Sequence, residues 1–176
     1  MNDPGTYIEH DGRPAVRFVR TYPYPIERVW AAVSTSEELE RWFPSSMAYE
    51  PEVGGTVNFS GDPHLHDNTG TVLAFDPPRK LAFTWGVNEL HFELQPVGDQ
   101  QCTFTLIDVL GAQNEAARNA SGWTVCLGEL DQQLAGLPHD GPHSETAPPF
   151  RPIYDGYVAS GMPSGAEIPG DLNPAT

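Results

Sequence analysis

The feature that most constrains the fold is a series of short strand-like segments followed by one long amphipathic helix. The helix is predicted over residues 114–134, where apolar residues recur every three or four positions: Ala116, Ala120, Trp123, Leu127, Leu130 and Leu134. Before it, turn residues separate runs rich in β-branched and aromatic residues, at 15–22, 56–59, 70–75, 81–85, 90–94 and 102–110. Short strands joined by tight turns predict an antiparallel sheet, and the helix is its apolar cover.

Two short helices are predicted between the first of these strands and the second. The first has apolar residues at helical spacing, namely Ile26, Val29, Trp30 and Val33. The second can begin with a capping box, formed by Ser34 with Glu37 or by Thr35 with Glu38, and it ends at Pro44. Its apolar side consists of Leu39, Trp42 and Phe43. The sequence therefore predicts an α+β protein.

Composition divides the chain near residue 137. Residues 137–176 contain 8 proline and 5 glycine residues, which excludes a long regular element there. We therefore predict a globular body over residues 1–136 and a Pro/Gly-rich tail over 137–176. Aromatic and aliphatic residues are concentrated at 150–158, which predicts a short helix near 153–160 that docks on the body. A contact between two copies in a homodimer is the alternative.

The charge balance excludes several classes of partner. The chain carries 24 acidic and 9 basic residues, a formal net charge of -15, which would repel nucleic acid and anionic membrane surfaces. No apolar run approaches the roughly 20 residues of a membrane span, and the N-terminus lacks the basic and apolar regions of a secretory signal. Two cysteines, Cys102 and Cys126, are too few for a disulfide framework, so we expect a cytoplasmic protein.

No metal or cofactor site is expected. The run His64-Leu65-His66-Asp67 would place both imidazoles on one face of a strand, but it lacks a third ligand. Pro63 and the polar residues that follow favour a solvated loop instead. The chain also contains no GxGxxG, P-loop, GxSxG or HExxH motif.

Alternation assigns the faces of the last predicted strand. Four side chains share one face, which we place in the interior opposite the long helix: Cys102, Phe104, Leu106 and Asp108. On the preceding strand, His91 and Glu93 share a face and would form an acid–base pair if they pointed inward. The opposite arrangement buries Leu90, Phe92 and Leu94, which is the better burial pattern.

Six motifs, in this order, resemble those of the SRPBCC superfamily of START-like or Bet v 1-like proteins. Within it the chain is similar to the branch of activator of Hsp90 ATPase homologues. The matching segments are PIERVW at 25–30, ELERWF at 38–43, GG at 54–55, GTV at 70–72, DPPRKLAFTW at 76–85 and GW at 122–123. The resemblance implies a helix-grip fold, in which a curved antiparallel sheet wraps a long C-terminal α-helix and two short helices lie between the first and second strands.

The same resemblance implies an apolar cavity between sheet and helix, although periodicity alone fits a packed core as well. The residues expected to line the cavity are Trp42, Phe43, Tyr49, Phe59, Trp85, His91, Phe104, Leu106, Asp108, Trp123 and Leu127. The leading expectation is a protein that binds a small hydrophobic ligand. One alternative is a cyclase or dehydratase in which Asp108, His91 and Tyr49 supply the titratable groups. The other is a chaperone-interacting module, although the chain is too short for the second domain that this activity involves in the family.

Overall fold

A curved antiparallel sheet and a long helix against its inner face form the body of the protein. The computed structural model describes residues 3–170. Its strands are β1 (Thr6–His10), β2 (Arg13–Tyr22), β3 (Ser46–Tyr49), β4 (Thr56–Ser60), β5 (Asn68–Asp76), β6 (Lys80–Trp85), β7 (Asn88–Pro96) and β8 (Cys102–Val109). Its α-helices are α1 (Ile26–Ser34), α2 (Ser36–Leu39), α3 (Ala116–Leu134) and α4 (Phe150–Ala159). A short 3-10 turn, Gln113–Glu115, leads into α3.

The strands within residues 3–170 form one eight-stranded sheet in the order β1-β2-β8-β7-β6-β5-β4-β3. Every neighbouring pair is antiparallel, and β2 pairs with β8 so that the first and last segments of the body meet. Helices α1 and α2 connect the β1-β2 end of the sheet to β3 at the other. This is the α+β helix-grip fold that the sequence predicts.

Strand β1 is an addition to the predicted order. It forms a hairpin with β2 through Asp11 and Gly12, whose φ angles are 50° and 78°. Positive φ at both residues is typical of the tight turns that join twisted antiparallel strands. The two short helices therefore lie between the second and third strands rather than between the first and second. Strand β3 is also absent from the predicted order. Its sequence does not indicate a strand, because only one of its four residues, Met47, is fully buried and the segment has no clear alternation.

The predicted capping box does not form. The Thr35 hydroxyl donates to the Ala31 carbonyl at 2.8 Å, and the Ser34 hydroxyl donates to the Trp30 carbonyl at 2.6 Å. Both hydroxyls therefore bond back to α1, four residues earlier, and α2 begins without a side-chain cap. What holds α2 in place is burial of Leu39 and the indole of Trp42, which donates to the Ala32 carbonyl at 2.9 Å.

The apolar face of α3 packs against the inner face of the sheet, as its periodicity predicts. Trp123, Leu127 and Leu130 of the helix are buried together with Phe104 and Leu106 of β8. Burial of such side chains stabilises the fold by about 1.5–3 kcal/mol each. The assignment of the inner face of β8 from alternation is confirmed.

Helix α4 of the tail packs against α3 of the same chain. It begins at Phe150, three residues before the predicted start. Pro152 does not interrupt the helix, because it falls in the first turn, where no intrahelical N–H bond is needed. The Tyr157 hydroxyl accepts the Gly5 N–H at 2.9 Å and lies 2.7 Å from the Thr124 hydroxyl. After α4, the Pro163 carbonyl accepts the Ala117 N–H at 2.9 Å, so the tail returns to the start of α3.

Candidate functional site

An open cleft of about 1010 Å³ lies where the β4–β5 loop, the β6–β7 turn, α3 and the tail meet. The loop contributes residues 62–65, and the turn contributes residues 85–88. The tail forms a further wall with Pro142, Pro148, Pro149 and Phe150. The cleft is therefore built by four segments that are distant in sequence.

One face of α3 forms the longest continuous wall of the cleft. The lining residues recur at intervals of three and four, as one face of a helix requires: Glu115, Arg118, Asn119, Gly122, Trp123 and Cys126. Gly122 lies at the middle of this face. Beyond its own helical neighbours, a Cβ atom placed on Gly122 would have no heavy atom within 4 Å.

Three side chains that line the cleft donate hydrogen bonds to the carboxylate of Asp108. This carboxylate is fully buried. Its Oδ2 accepts the Trp123 indole N–H at 3.0 Å and an Asn119 amide N–H at 2.9 Å. Its Oδ1 accepts an Asn88 amide N–H at 3.0 Å, and the Asn88 carbonyl oxygen accepts the Gly111 N–H at 3.0 Å. The wall therefore has a fixed geometry on both α3 and β7.

Burial raises the pKa of Asp108, while the hydrogen bonds from Trp123, Asn119 and Asn88 oppose that rise. The donors are neutral, so they stabilise the carboxylate without a compensating positive charge. Because the same three side chains separate Asp108 from the cleft, its carboxyl group acts on a ligand only by positioning them.

Two indoles border the cleft, of which Trp85 is half-buried and Trp123 is almost completely buried. The ring centroids of Trp85 and Trp123 lie 5.7 Å apart with the planes inclined at 57°. Phe43 packs behind both, with centroid distances of 5.6 Å to Trp85 and 5.7 Å to Trp123. Such tilted contacts are favourable for aromatic pairs and resist reorientation of either ring.

The basic side chains of the cleft are engaged by the protein itself. Arg118 donates to the Asn119 side-chain oxygen at 3.0 Å and to the Glu167 carbonyl at 3.1 Å, and it lies 3.6 Å from the Glu115 carboxylate. Arg151 pairs with Asp155 at 3.0 Å. The two arginines of the cleft therefore have acidic partners within the chain, and the rest of the lining combines aromatic, proline and polar side chains with Asp62, His64, His143 and Glu167.

Only two of the expected cavity residues, Trp85 and Trp123, line the cleft. Six others are buried in the packed core and do not reach it: Trp42, Phe43, Phe59, Phe104, Leu106 and Leu127. Alternation places them on the inner face, but aromatic contacts among them and with Phe83 and Phe92 occupy that space. In this structure the six side chains belong to the packed core, and their role in binding a ligand stays a prediction.

The three titratable residues expected in the cavity also lie elsewhere. His91 is on the outer face of the sheet, where its ring lies 5.0 Å from that of His10 and 3.3 Å from Glu89, because Leu90 and Phe92 occupy the inner face. Desolvation lowers the pKa of His91. The Tyr49 hydroxyl donates to the Ser34 carbonyl at 2.6 Å, and burial raises its pKa to about 12. Asp108 lies behind the cleft wall, as described above.

The sequence patterns did not indicate that Asn88, Asn119 and Gly122 line the cleft. Asn119 lies four residues before Trp123 and three before Gly122, so helical spacing could have linked Asn119 to both. Asn88 carries no comparable signal, because its position beside Asp108 depends on the pairing of β7 with β8.

The histidine-containing run at 64–67 forms a loop, as predicted. The His64 ring lies 5.3 Å from that of His143 in the tail. Over residues 3–170, no three His, Cys, Asp or Glu side chains are grouped as a metal site requires. No helix within the same residues has the length and hydropathy needed to cross a bilayer.

Solved structures of low sequence identity share this fold. EF2215, a conserved protein of unknown function from Enterococcus faecalis, is 19% identical over 89% of each chain, with a TM-score of 0.71. CalU16 from Micromonospora echinospora is 21% identical over 92% of this chain and 96% of its own, with a TM-score of 0.67. The protein encoded by BPP1335 of Bordetella parapertussis is 26% identical over 90% of this chain and 89% of its own, with a TM-score of 0.64. These similarities establish the architecture and leave the ligand open.

Family membership follows from the sequence itself. No curated protein matches the chain. The sequence model of the family described as Activator of Hsp90 ATPase homolog 1-like protein matches residues 23–135, which run from just before α1 to the end of α3. This segment is well over half of the chain, and it contains the motifs on which the SRPBCC resemblance rests. The chain therefore belongs to the Activator of Hsp90 ATPase homolog 1-like protein family, whose fold is of the SRPBCC type.

Proposed function

We propose that the protein binds a small, mainly apolar or aromatic molecule in the cleft between α3, the β6–β7 turn and the tail. The observation that carries this proposal is the pair of indoles, Trp85 and Trp123, in the wall of a cleft of about 1010 Å³. That volume is near the upper end of the roughly 300–1,000 Å³ typical of small-molecule sites.

The fixed geometry of the wall supports binding. The hydrogen bonds from Trp123, Asn119 and Asn88 to Asp108 hold the lining side chains before a ligand arrives. A wall that is already ordered loses little conformational entropy on binding, so more of the contact energy appears as affinity.

The buried, unpaired cysteines suit a reducing compartment, and we assign the activity to the cytoplasm.

The two alternatives have weaker support. The titratable residues predicted for a cyclase or dehydratase do not support that reaction, because His91 and Tyr49 lie away from the cleft and Asp108 is separated from it. A chaperone-interacting role has only the family's name in its favour. Ligand binding is therefore the function that the geometry favours.

Binding of a naphthalene sulfonate dye to the folded protein tests the proposal. Replacement of Trp85 by Leu should weaken dye binding by about tenfold, because the aromatic contact in the cleft is lost. Trp30→Leu is the matched control, since Trp30 is also half-buried but packs against Phe75, away from the cleft. Equal binding by both variants, or no binding by the unmodified protein, would contradict the proposal.

A further inference from the structure

We propose that Gly122 is a specificity-determining position, where a planar ring system of the ligand lies directly against the backbone of α3. This inference rests on the proposed function, since it assigns the class of ligand and its contact point within the same cleft. The residues that carry it are Gly122 itself and the fixed side chains around it.

Gly122 occupies a position that does not favour glycine. It lies in the interior of a 19-residue helix, where glycine is the least favourable residue other than proline. The space next to its Cα is open to the cleft, because a Cβ atom there would meet no heavy atom beyond its own helical neighbours within 4 Å. The fold therefore has room for a larger residue at this position. A larger side chain would, however, occupy the space in which a ligand rests on the helix backbone.

Two side chains that border Gly122 are held by hydrogen bonds. Asn119, one turn before Gly122, and Trp123, directly after it, both donate to Asp108, at 2.9 and 3.0 Å. The bare backbone at Gly122 is therefore bordered by an amide and an indole whose orientations are fixed. Trp85 extends the aromatic border, with its ring centroid 5.7 Å from that of Trp123.

The wall contributed by the tail is rigid as well. It presents the rings of Pro142, Pro148 and Pro149 together with Phe150. Proline has a fixed φ and no rotatable side chain, so this wall also adapts little to a flexible ligand. Flat, preorganised surfaces favour a rigid planar ligand over an aliphatic chain, which loses the freedom of many bonds on binding. The chemistry of the cleft thus selects a polycyclic aromatic compound rather than a fatty acid.

Matched glycine substitutions on α3 test the inference. Gly122→Leu places a side chain in the proposed ring slot, and Gly122→Ala places a single methyl group there. Gly128→Leu is the control, because Gly128 is also on α3 and has equally open space where a Cβ atom would stand, but it does not line the cleft. All three changes replace glycine by a better helix former, so the helix itself is not weakened.

The measurement is the dissociation constant of 1,8-dihydroxyanthraquinone and of oleate, each titrated into the full chain and followed by tryptophan fluorescence. The unmodified protein should bind the anthraquinone at least about tenfold more tightly than oleate. Gly122→Leu should weaken anthraquinone binding by about tenfold or more and Gly122→Ala by less, while Gly128→Leu changes it by less than about twofold.

The outcomes separate this inference from the proposed function. If Gly122→Leu and Gly122→Ala bind the anthraquinone as tightly as the unmodified protein while Trp85→Leu binds it weakly, the ring slot is wrong and the cleft remains the site. Tighter binding of oleate than of the anthraquinone would overturn the assigned ligand class. Failure of the unmodified protein to bind either probe would contradict the proposed function itself.

Discussion

The Asp108 carboxylate accepts the indole N–H of Trp123 at 3.0 Å, across the interface between β8 and α3. This bond joins a fully buried carboxyl group to an indole that borders the cleft. The stability of the fold and the shape of the proposed site therefore depend on the same contact.

Trp123→Ala should lower the free energy of unfolding by about 3–5 kcal/mol, because it removes a large buried ring from between helix and sheet. Trp123→Phe keeps most of the apolar contact and leaves Asp108 without one donor, which should cost about 1–3 kcal/mol. Urea denaturation measures both values. A loss below about 1 kcal/mol for the alanine variant would be typical of a surface position and would contradict the packing described here.

Asp108 should make stability depend on pH in a specific direction. Since burial raises its pKa above the ordinary value of 3.8, the folded state holds the proton more tightly than the unfolded state. Its contribution to stability is therefore fully present below that ordinary value and is lost as the pH rises towards the folded-state pKa.

Asp108→Asn removes this titration, so the stability of the unmodified protein relative to the variant should decline as the pH rises from the ordinary value of 3.8 through the folded-state pKa. Chemical denaturation across that range measures the difference. Asp99→Asn, at an exposed turn, is the control for a carboxylate that is not buried. A relative stability that rises with pH would contradict the account of Asp108.

Deletion of the tail after Gly136 should destabilise the protein and weaken dye binding. The tail buries Phe150, Tyr154 and Tyr157 and supplies one wall of the cleft. Truncation therefore exposes the apolar surface of α3 that these rings cover. Thermal unfolding and dye titration measure the two effects, and amide exchange over residues 150–160 reports whether α4 is docked in the full chain. Unchanged stability and affinity, with fast exchange, would show that α4 is loose.

His139→Ala should cost about 1–3 kcal/mol, because it leaves a buried oxygen of the Glu129 side chain short of a hydrogen-bond partner. The Glu129 Oε2 atom lies 3.0 Å from His139 Nδ1 and accepts the Gly141 N–H at 3.0 Å, and both side chains are at most 3% exposed. Asp155→Asn disrupts the exposed pair with Arg151 and should cost less than about 1 kcal/mol. Equal effects of the two substitutions on urea denaturation would be inconsistent with burial of the His139 pair.

The layers of the fold could be predicted from the sequence because each depends on a local repeat. The apolar residues of α3 and the alternation on β8 both indicate which face is buried, and Trp123 and Phe104 lie in the same core cluster as that pattern requires. Strand β1 lacks such a pattern, although the turn at Asp11 and Gly12 is a hairpin signal that could have revealed it.

The cleft could not be predicted in the same way, because it depends on contacts between distant segments. His143 of the tail donates to the Pro44 carbonyl at 2.7 Å, and Asn88 of β7 donates to Asp108 of β8. Neither contact has a periodic signal in the sequence. Periodicity also does not distinguish an inward residue that fills the core, such as Phe43, from one that reaches a cleft, such as Trp85.

An NMR titration of the four tryptophan indole N–H signals with 1,8-dihydroxyanthraquinone tests the central claim most directly. Trp85 and Trp123 line the cleft, whereas Trp30 on α1 packs against Phe75 and Trp42 lies in the core. The account predicts that the signals of Trp85 and Trp123 shift progressively to saturation while that of Trp30 stays in place. Saturation of binding with Trp85 and Trp123 unshifted would show that the ligand site lies elsewhere.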